Sequence, residues 1–265
     1  MPGPKISVLM GVYCRGPDTA LLERSVQSIL AQSWTDLEFF ICDDGSHRAA
    51  AAYLDSVRRR DRRIRLLRRG DLITLPAKLN ACLAQTESPL IARMDDDDYA
   101  RPDRLSKQEL ALRTNPAVAF VGSNAALYRD GRPAGRRILP EFPTVQDFLL
   151  TQPYLHPALM FRREALLALG GYSEDPRALL CEDYDLLLRL YGQGFRGMNL
   201  QEELLTYTLP HRAKGDRRMR HRWNESVTRY RRFRDLGLLP RALPYVLKPL
   251  AVGLLPEPLL KKLKG

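Results

Sequence analysis

The sequence predicts an α/β protein: a mainly parallel central sheet flanked by helices, followed by a helical C-terminal extension. Three observations carry that expectation. Short apolar runs of strand length alternate with stretches of helical periodicity through the N-terminal part of the chain, the mark of successive βαβ units. Those runs stop abruptly on glycine, tyrosine or aspartate, as buried strands do where they feed loops at a sheet edge. The stretch from Arg212 to Asp235 is strongly basic and has helical spacing.

Ile6-Ser7-Val8-Leu9-Met10 reads as a buried strand. Pro17-Asp18 then opens a helix with Leu22, Val26, Ile29 and Leu30 on one face. Glu38 to Cys42 is the second strand, ended by Asp43-Asp44-Gly45-Ser46. A helix over Ala49–Arg59 leads to a short strand at Ile64–Leu67, and Pro76 suits the first turn of a helix running to Gln85. Leu90 to Met94 is a further strand, and it ends on Asp95-Asp96-Asp97-Asp98. Asp103–Leu112 is read as helix, Ala119–Tyr128 as strand, and Asp130-Gly131 as a hairpin turn. Thr144 with Asp147 resembles a capping box, Arg163–Leu169 is a helix stopped by Gly170-Gly171, and Glu182–Tyr191 is amphipathic. With no internal repeat and no low-complexity linker, one domain is expected over residues 1–211, with halves of about 1–100 and 101–211, and an extension over 212–265.

Composition narrows the class. The chain has 265 residues, and its 45% hydrophobic and 28% charged content is ordinary for a globular enzyme. A formal net charge of +11 favours anionic partners such as phosphate-bearing substrates, acidic lipid or nucleic acid. Cys14, Cys42, Cys82 and Cys181 form no C-x-x-C pair, which argues against zinc and fits a reducing cytoplasm. The apolar run near the N-terminus is too short for a secretory signal, and the C-terminal one is broken by Lys248 and four prolines, so no bilayer span is expected. The location expected is cytoplasmic, with peripheral attachment at the inner face of the membrane as an option.

In a parallel sheet the carboxyl ends of the strands share one edge, and ligands of open α/β sheets bind there. Gly11-Val12-Tyr13, Asp43-Asp44 and the aspartate run therefore should converge. Four consecutive aspartates after an apolar strand repel one another unless a counter-charge is present. A divalent cation with hard oxygen ligands, Mg2+ or Mn2+, is the natural one; a solvated acidic turn is the alternative. Such a metal could grip a diphosphate and stabilise charge on it as it leaves.

At this point the chain resembles glycosyltransferase family 2, with the GT-A fold and its Rossmann-like sheet. The resemblance rests on Ile6 through Tyr13, Glu38 through Ser46, Ile91 through Asp98 and Arg101-Pro102-Asp103-Arg104-Leu105. It continues, in the family's order, through Asn115-Pro116, Val121-Gly122, His156-Pro157, Arg162-Arg163, Gly171-Tyr172, Glu182-Asp183-Tyr184-Asp185-Leu186 and Asn199. It implies an inverting transfer of sugar from a UDP- or dTDP-sugar donor to an acceptor hydroxyl, in cell-surface glycan or polysaccharide synthesis. By that resemblance Tyr13 packs on the nucleotide base, the backbone near Gly11 contacts it, and Asp44 accepts a hydrogen bond from a base N–H. Asp95 and Asp97 take the outer places of a D-x-D motif. Asp97 binds the metal directly, Asp95 and Asp96 hold ribose or diphosphate, and Asp95 and His211 complete the metal's surroundings. Asp183 is the catalytic base, with Glu182 beside it as the alternative. The chain departs from the family pattern at Cys14, Thr74 and the segment after Tyr207.

Two other readings compete. A sugar-phosphate nucleotidyltransferase would need a glycine-rich loop after the first strand, where this chain has Gly11-Val12-Tyr13-Cys14-Arg15-Gly16. A nucleic-acid or membrane-binding module could use the basic tail, in which Trp223, Tyr230 and Phe233 are interleaved with arginine. The partners expected are a nucleotide-sugar donor, a glycan or lipid-linked acceptor, and an anionic membrane surface at the basic C-terminal segment. Nucleic acid is not expected. The leucines from Leu238 to Leu255 either pack on the domain or meet that membrane.

Overall fold

The structure is a computed structural model in which residues 3–71, 74–209 and 216–254 are described. The first strand, β1 (Ile6–Val12), is buried along its whole length, as a continuous apolar run inside a parallel sheet must be. Helix α1 (Ala20–Leu30) turns Leu22, Val26 and Ile29 inward. It starts later than Pro17-Asp18 because the Asp18 carboxylate is used to accept the Ala20 amide at 3.0 Å. There follow β2 (Leu37–Asp43), α2 (Arg48–Arg60) and β3 (Ile64–Arg68). In α2, the His47 ring accepts the Ala49 amide at the start, and three arginines lie in the last turn, where the helix dipole favours cations. Helix α3 (Leu75–Leu83) has Pro76 in its first turn, and the Thr74 hydroxyl accepts the Ala77 amide at 3.3 Å. Strand β4 (Leu90–Arg93) precedes the aspartates.

The next elements are β5 (Tyr99–Ala100), α4 (Arg104–Thr114), β6 (Phe120–Arg129) and β7 (Arg132–Arg137). Asp130 and Gly131 join the last two with φ of 51° and 74°, the paired left-handed residues of a tight hairpin. Before α5 (Asp147–Leu150), the Asp147 carboxylate reaches back to the Thr144 amide at 2.7 Å, one half of the expected capping box. Then come β8 (Met160–Arg162), α6 (Arg163–Ala168), α7 (Glu182–Gly192), β9 (Gly197–Thr208), α8 (Asp216–Asp235) and α9 (Leu243–Leu254). The sequence reading had not marked β5, β8 or β9 as strands.

Residue contacts divide the chain into two units. One comprises Met1–Pro143, Pro153–Tyr172 and Phe195–Pro210; the other comprises Thr144–Gln152, Ser173–Gly194 and His211–Gly265. The first holds the nine-stranded sheet, in the order β3-β2-β1-β4-β8-β6-β9-β5, with β7 paired to β6. The strands β3, β2, β1 and β4 are parallel, and so is the long β6–β9 ladder; the shorter ladders at β8, β5 and β7 are antiparallel. This is the α/β architecture expected, with its core between the sheet and the helices: Val8, Met10, Val26, Ile29, Phe39 and Ile41 are all fully buried in one cluster.

In the second unit, α7 packs through aromatic rings: Phe148 meets Tyr184 and Tyr191 edge-on, at centroid distances of 5.8 and 5.0 Å. The Arg229 guanidinium sits 4.9 Å over the Tyr184 ring and donates to the Leu149 carbonyl at 2.8 Å. Arg232 Nε donates to Asp185 at 2.7 Å. Several arginines of the basic stretch are thus internal supports of α7 rather than a uniform solvated face. No helix among the described residues is long and apolar enough to cross a membrane.

Candidate active site

The registers of β1 decide what meets at the sheet edge. Val12 pairs with Asp43 on one side, while on the other β4 ends level with Leu9, where Arg93 pairs. The aspartates therefore begin where β1 still runs on, and the Asp44 amide donates back to the Val12 carbonyl at 3.2 Å. Gly11 is a glycine because α3 lies against it: a Cβ there would be 2.9 Å from Leu75 Cδ1 and 3.2 Å from Lys78 Cβ. That close approach delivers Lys78 to the edge. Its ammonium, on a buried side chain, donates to the Val12 carbonyl at 3.2 Å, stands 3.7 Å from Asp44 Oδ2, and lies 5.5 Å from the centre of the Tyr13 ring. The ring itself is 50% exposed, with the Arg15 guanidinium 5.6 Å from its centre, so it offers solvent an aromatic surface with two cations nearby. Sequence reasoning named Gly11, Tyr13 and Asp44 and missed Lys78. The signal available was a lysine flanked by Ala77 and Leu79 on a helix whose neighbouring residues are apolar.

Beneath the aspartates are two buried guanidinium groups. Arg93 bonds the Asp95 carboxylate and the Met94 carbonyl, and Arg104 donates to the Arg93 carbonyl at 2.7 Å and to Gln108 at 3.0 Å. Burial pushes Arg104 down to about 9 even though Asp98 acts in the other direction. From the other side, the Asp97 carbonyl accepts from Arg24 at 2.8 Å and from the Thr208 hydroxyl at 2.6 Å, and the Ser25 hydroxyl donates to the Asp95 carbonyl at 2.6 Å. The run is a braced turn and not a loose acidic loop.

The carboxylates of Asp95, Asp97 and Asp98 each present an oxygen within 4.8 Å of the others. Burial, then the charge of Asp95, pushes Asp96 up to about 6, Asp97 up to about 7 and Asp98 up to about 9. The backbone amide of Tyr13 opposes the shift at Asp96, which ties that carboxylate to the end of β1. Asp98 is fully buried; its Oδ1 accepts the Thr208 amide at 2.7 Å, and its Oδ2 has no hydrogen-bond partner. A buried carboxyl with one unbonded oxygen, gathered with two further carboxylates, is a donor set suited to a hard divalent cation. Asp95 and Asp97 were read from the sequence, whereas Asp98 was not.

Asp183 belongs to the second unit, in the first turn of α7, where the helix dipole favours an anion. Its Oδ1 accepts the Tyr184 amide at 2.8 Å and its Oδ2 accepts from Gln152 Nε2 at 2.9 Å, so the carboxylate is oriented at both oxygens. Glu182 lies beside it in the same turn. His211 falls outside the described residues. His156 is buried, with Nε2 2.9 Å from the Tyr172 hydroxyl, and burial holds its ring well below the usual histidine range.

Comparison with known proteins bears on the family and the fold. The model of the family described as glycosyl transferase family 2 matches residues 7–170. The chain is 33% identical over 269 residues to EpsE of Bacillus subtilis strain 168, a protein named as a glycosyltransferase, with 98% of this chain and 93% of that one covered. It is 28% identical over 206 residues to the UDP-Gal:alpha-D-GlcNAc-diphosphoundecaprenol beta-1,3-galactosyltransferase of Escherichia coli, covering 76% of this chain and 73% of the relative. Among solved structures, S. aureus TarS 1-349 in complex with UDP-GlcNAc superimposes with a TM-score of 0.70 at 14% identity, over 92% of this chain and 73% of that one. The mannosyltransferase PcManGT of Pyrobaculum calidifontis, in complex with GDP-Man and Mn2+, gives a TM-score of 0.63 at 17% identity, over 99% of this chain and 79% of that one. At such identities the structures speak for the fold, which is GT-A.

Proposed function

This chain belongs to glycosyltransferase family 2, and from that premise we propose that it is an inverting, metal-dependent enzyme acting in cell-surface glycan or polysaccharide synthesis. It moves a sugar from a UDP- or dTDP-sugar to the hydroxyl of a glycan or lipid-linked acceptor. The observation that carries this reading is the cluster at the sheet edge, where an open aromatic ring, a lysine-paired carboxylate and three convergent carboxylates are gathered. The UDP-Gal donor and diphosphoundecaprenol acceptor in the name of the E. coli relative support the substrate class.

In this proposal residues 1–211 form the catalytic domain and 212–265 its extension, which the Arg232–Asp185 pair joins to α7. The Tyr13 face receives the base. Asp44, held by Lys78, accepts a base N–H, and Asp96 takes the ribose. A divalent cation, Mn2+ or Mg2+, held by Asp97 and Asp95 with Asp98 and His211, would supply positive charge opposite the departing diphosphate. Asp183 takes the proton of the acceptor hydroxyl as that oxygen attacks the anomeric carbon in line with the leaving diphosphate. Its bond from Gln152 and the bond it accepts from the Tyr184 amide orient it for that step.

The test is turnover against a panel of UDP- and dTDP-sugars, combined with donor-binding measurements. Asp183→Asn is expected to lower kcat by roughly 10²- to 10⁴-fold with little change in donor affinity, because asparagine keeps an oxygen for the Tyr184 amide. Glu182→Gln should lose far less. A dead Glu182→Gln beside an active Asp183→Asn would move the role to Glu182. Full activity in both would remove the base from this motif.

A further inference from the structure

We propose that the α8–α9 hairpin is a docking surface for an anionic lipid bilayer, on which it lies flat without crossing. The first observation is an exposed apolar stripe. In α9, Leu243, Leu247 and Leu254 are 41%, 58% and 77% exposed, and Ala251 between them is also exposed. The spacing of these four places them on one side of the helix. Ala242, Val246 and Pro249 form the buried side. In α8, Met219, Trp223 and Tyr230 are also exposed, Trp223 with 59% of its surface open. A methyl added to Gly253 would lie 3.3 Å from Met219 Cε, so the exposed residues at the start of α8 adjoin those at the end of α9. A tryptophan and three leucines left open on one hairpin form the kind of patch that marks an interaction surface.

The second observation is charge, and it selects the occupant. The acids of these helices with described side chains are already matched: Glu225 by Arg222 and Arg229, and Asp235 by Arg232 and Arg234. Arg220, Arg241 and Lys248 are exposed beside the stripe and add positive charge to a chain whose net charge is +11. Two copies of so cationic a face would repel each other, whereas acidic headgroups would complement it. The same mixture continues in the sequence after residue 254, with Leu255, Leu259, Leu260 and Leu263 among Lys261, Lys262 and Lys264. An apolar stripe flanked by basic residues, with a tryptophan at its margin, is the composition of a helix that lies in the membrane interface.

The experiment floats the full chain with vesicles of phosphatidylcholine alone, or of phosphatidylcholine and phosphatidylglycerol in equal parts, and follows Trp223 fluorescence. Flotation and a blue shift are expected with the anionic vesicles only, the shift being lost in Trp223→Phe. Leu247→Glu should weaken binding roughly tenfold or more, and Arg241→Ala should weaken it about fivefold at low salt. Both positions are exposed, so circular dichroism and thermal midpoint should match the wild type. Absence of flotation by the folded chain overturns the proposal. So does flotation that Leu247→Glu leaves unchanged, which would be adsorption by charge alone. Concentration-dependent self-association abolished by Leu247→Glu would assign the stripe to a second copy and overturn it equally. None of these readouts involves turnover, so they stand apart from the catalytic reading.

Discussion

Replacing Asp98 by asparagine separates two tasks of one carboxylate. The Oδ1 that accepts the Thr208 amide is retained, while the buried, unbonded Oδ2 becomes an amide and the side chain can no longer ionise. The candidate ligand oxygens lie within 4.8 Å of one another, and two unit charges at that separation repel by about 3.5 kcal/mol at an effective dielectric of roughly 20. Asp98 faces two such neighbours, yet its carboxyl, pushed up to about 9, already carries a proton at neutral pH and so escapes much of that repulsion. The folded wild type must take up that proton at neutral pH, whereas the metal-free variant needs none and should be more stable by about 1–4 kcal/mol. The sign with pH follows: the folded chain binds this proton more tightly than the unfolded chain, so the metal-free wild type loses stability from about pH 4 up through about pH 9. The variant lacks that part of the loss. The assay is thermal unfolding with chelator or with Mn2+. At about a hundred times its dissociation constant the metal should stabilise the wild type by about 2.7 kcal/mol, which is a shift of about 5–10 °C for a protein of this size. Asp98→Asn should start higher and gain much less, and Asp97→Ala should lose both the gain and turnover. An equal gain in Asp98→Asn and wild type would refute Asp98 as a ligand, and no gain in the wild type would return the run to a braced acidic turn.

Gly11→Ala should lower stability by about 1–3 kcal/mol, since Lys78 Cβ cannot swing away as Leu75 Cδ1 can, and α3 must shift. Donor affinity should fall with it, because Lys78 moves away from Asp44; calorimetric titration with UDP giving wild-type affinity would refute that coupling. His156, held neutral by burial, contributes stability that is present above the unfolded value of about 6.5 and is lost as pH falls through its lower folded value. Acid unfolding of His156→Gln should be correspondingly less steep, and an unchanged profile would count against this histidine.

The parallel half was legible because each apolar run stops on a polar cluster and the hydrophobic period changes at the same point, as at Cys42-Asp43 and Met94-Asp95. β9 was less so, because Gln201 and Glu202 are exposed inside an otherwise paired strand, and β8 is only three residues long. Asp98 escaped notice for a geometric reason. A D-x-D reading assumes alternation along an extended chain, but the backbone turns at Asp96 and Asp97 and brings Asp98 round beside Asp95. The arginine-rich stretch was legible as a helix, yet sequence does not separate Arg229, at 3% exposure, from Arg220 on the surface. That distinction depends on partners such as Tyr184 and Leu149, which are distant along the chain.

The grip of Thr208 on the acidic turn has a consequence for how the molecule is made. Its amide and hydroxyl hold Asp98 and Asp97, and Arg24 bridges the Asp97 carbonyl and the Thr208 hydroxyl. On the ribosome, β1 to β4 and the aspartates emerge well before this partner, which lies 110 residues beyond Asp98. At ordinary rates of synthesis the delay is roughly 5–20 s. Through that interval the carboxylates lack the Thr208 part of their brace, so a nascent chain carries the sheet edge without its finished acidic turn. Competence for chemistry is thereby deferred until the last strand of the sheet has been translated.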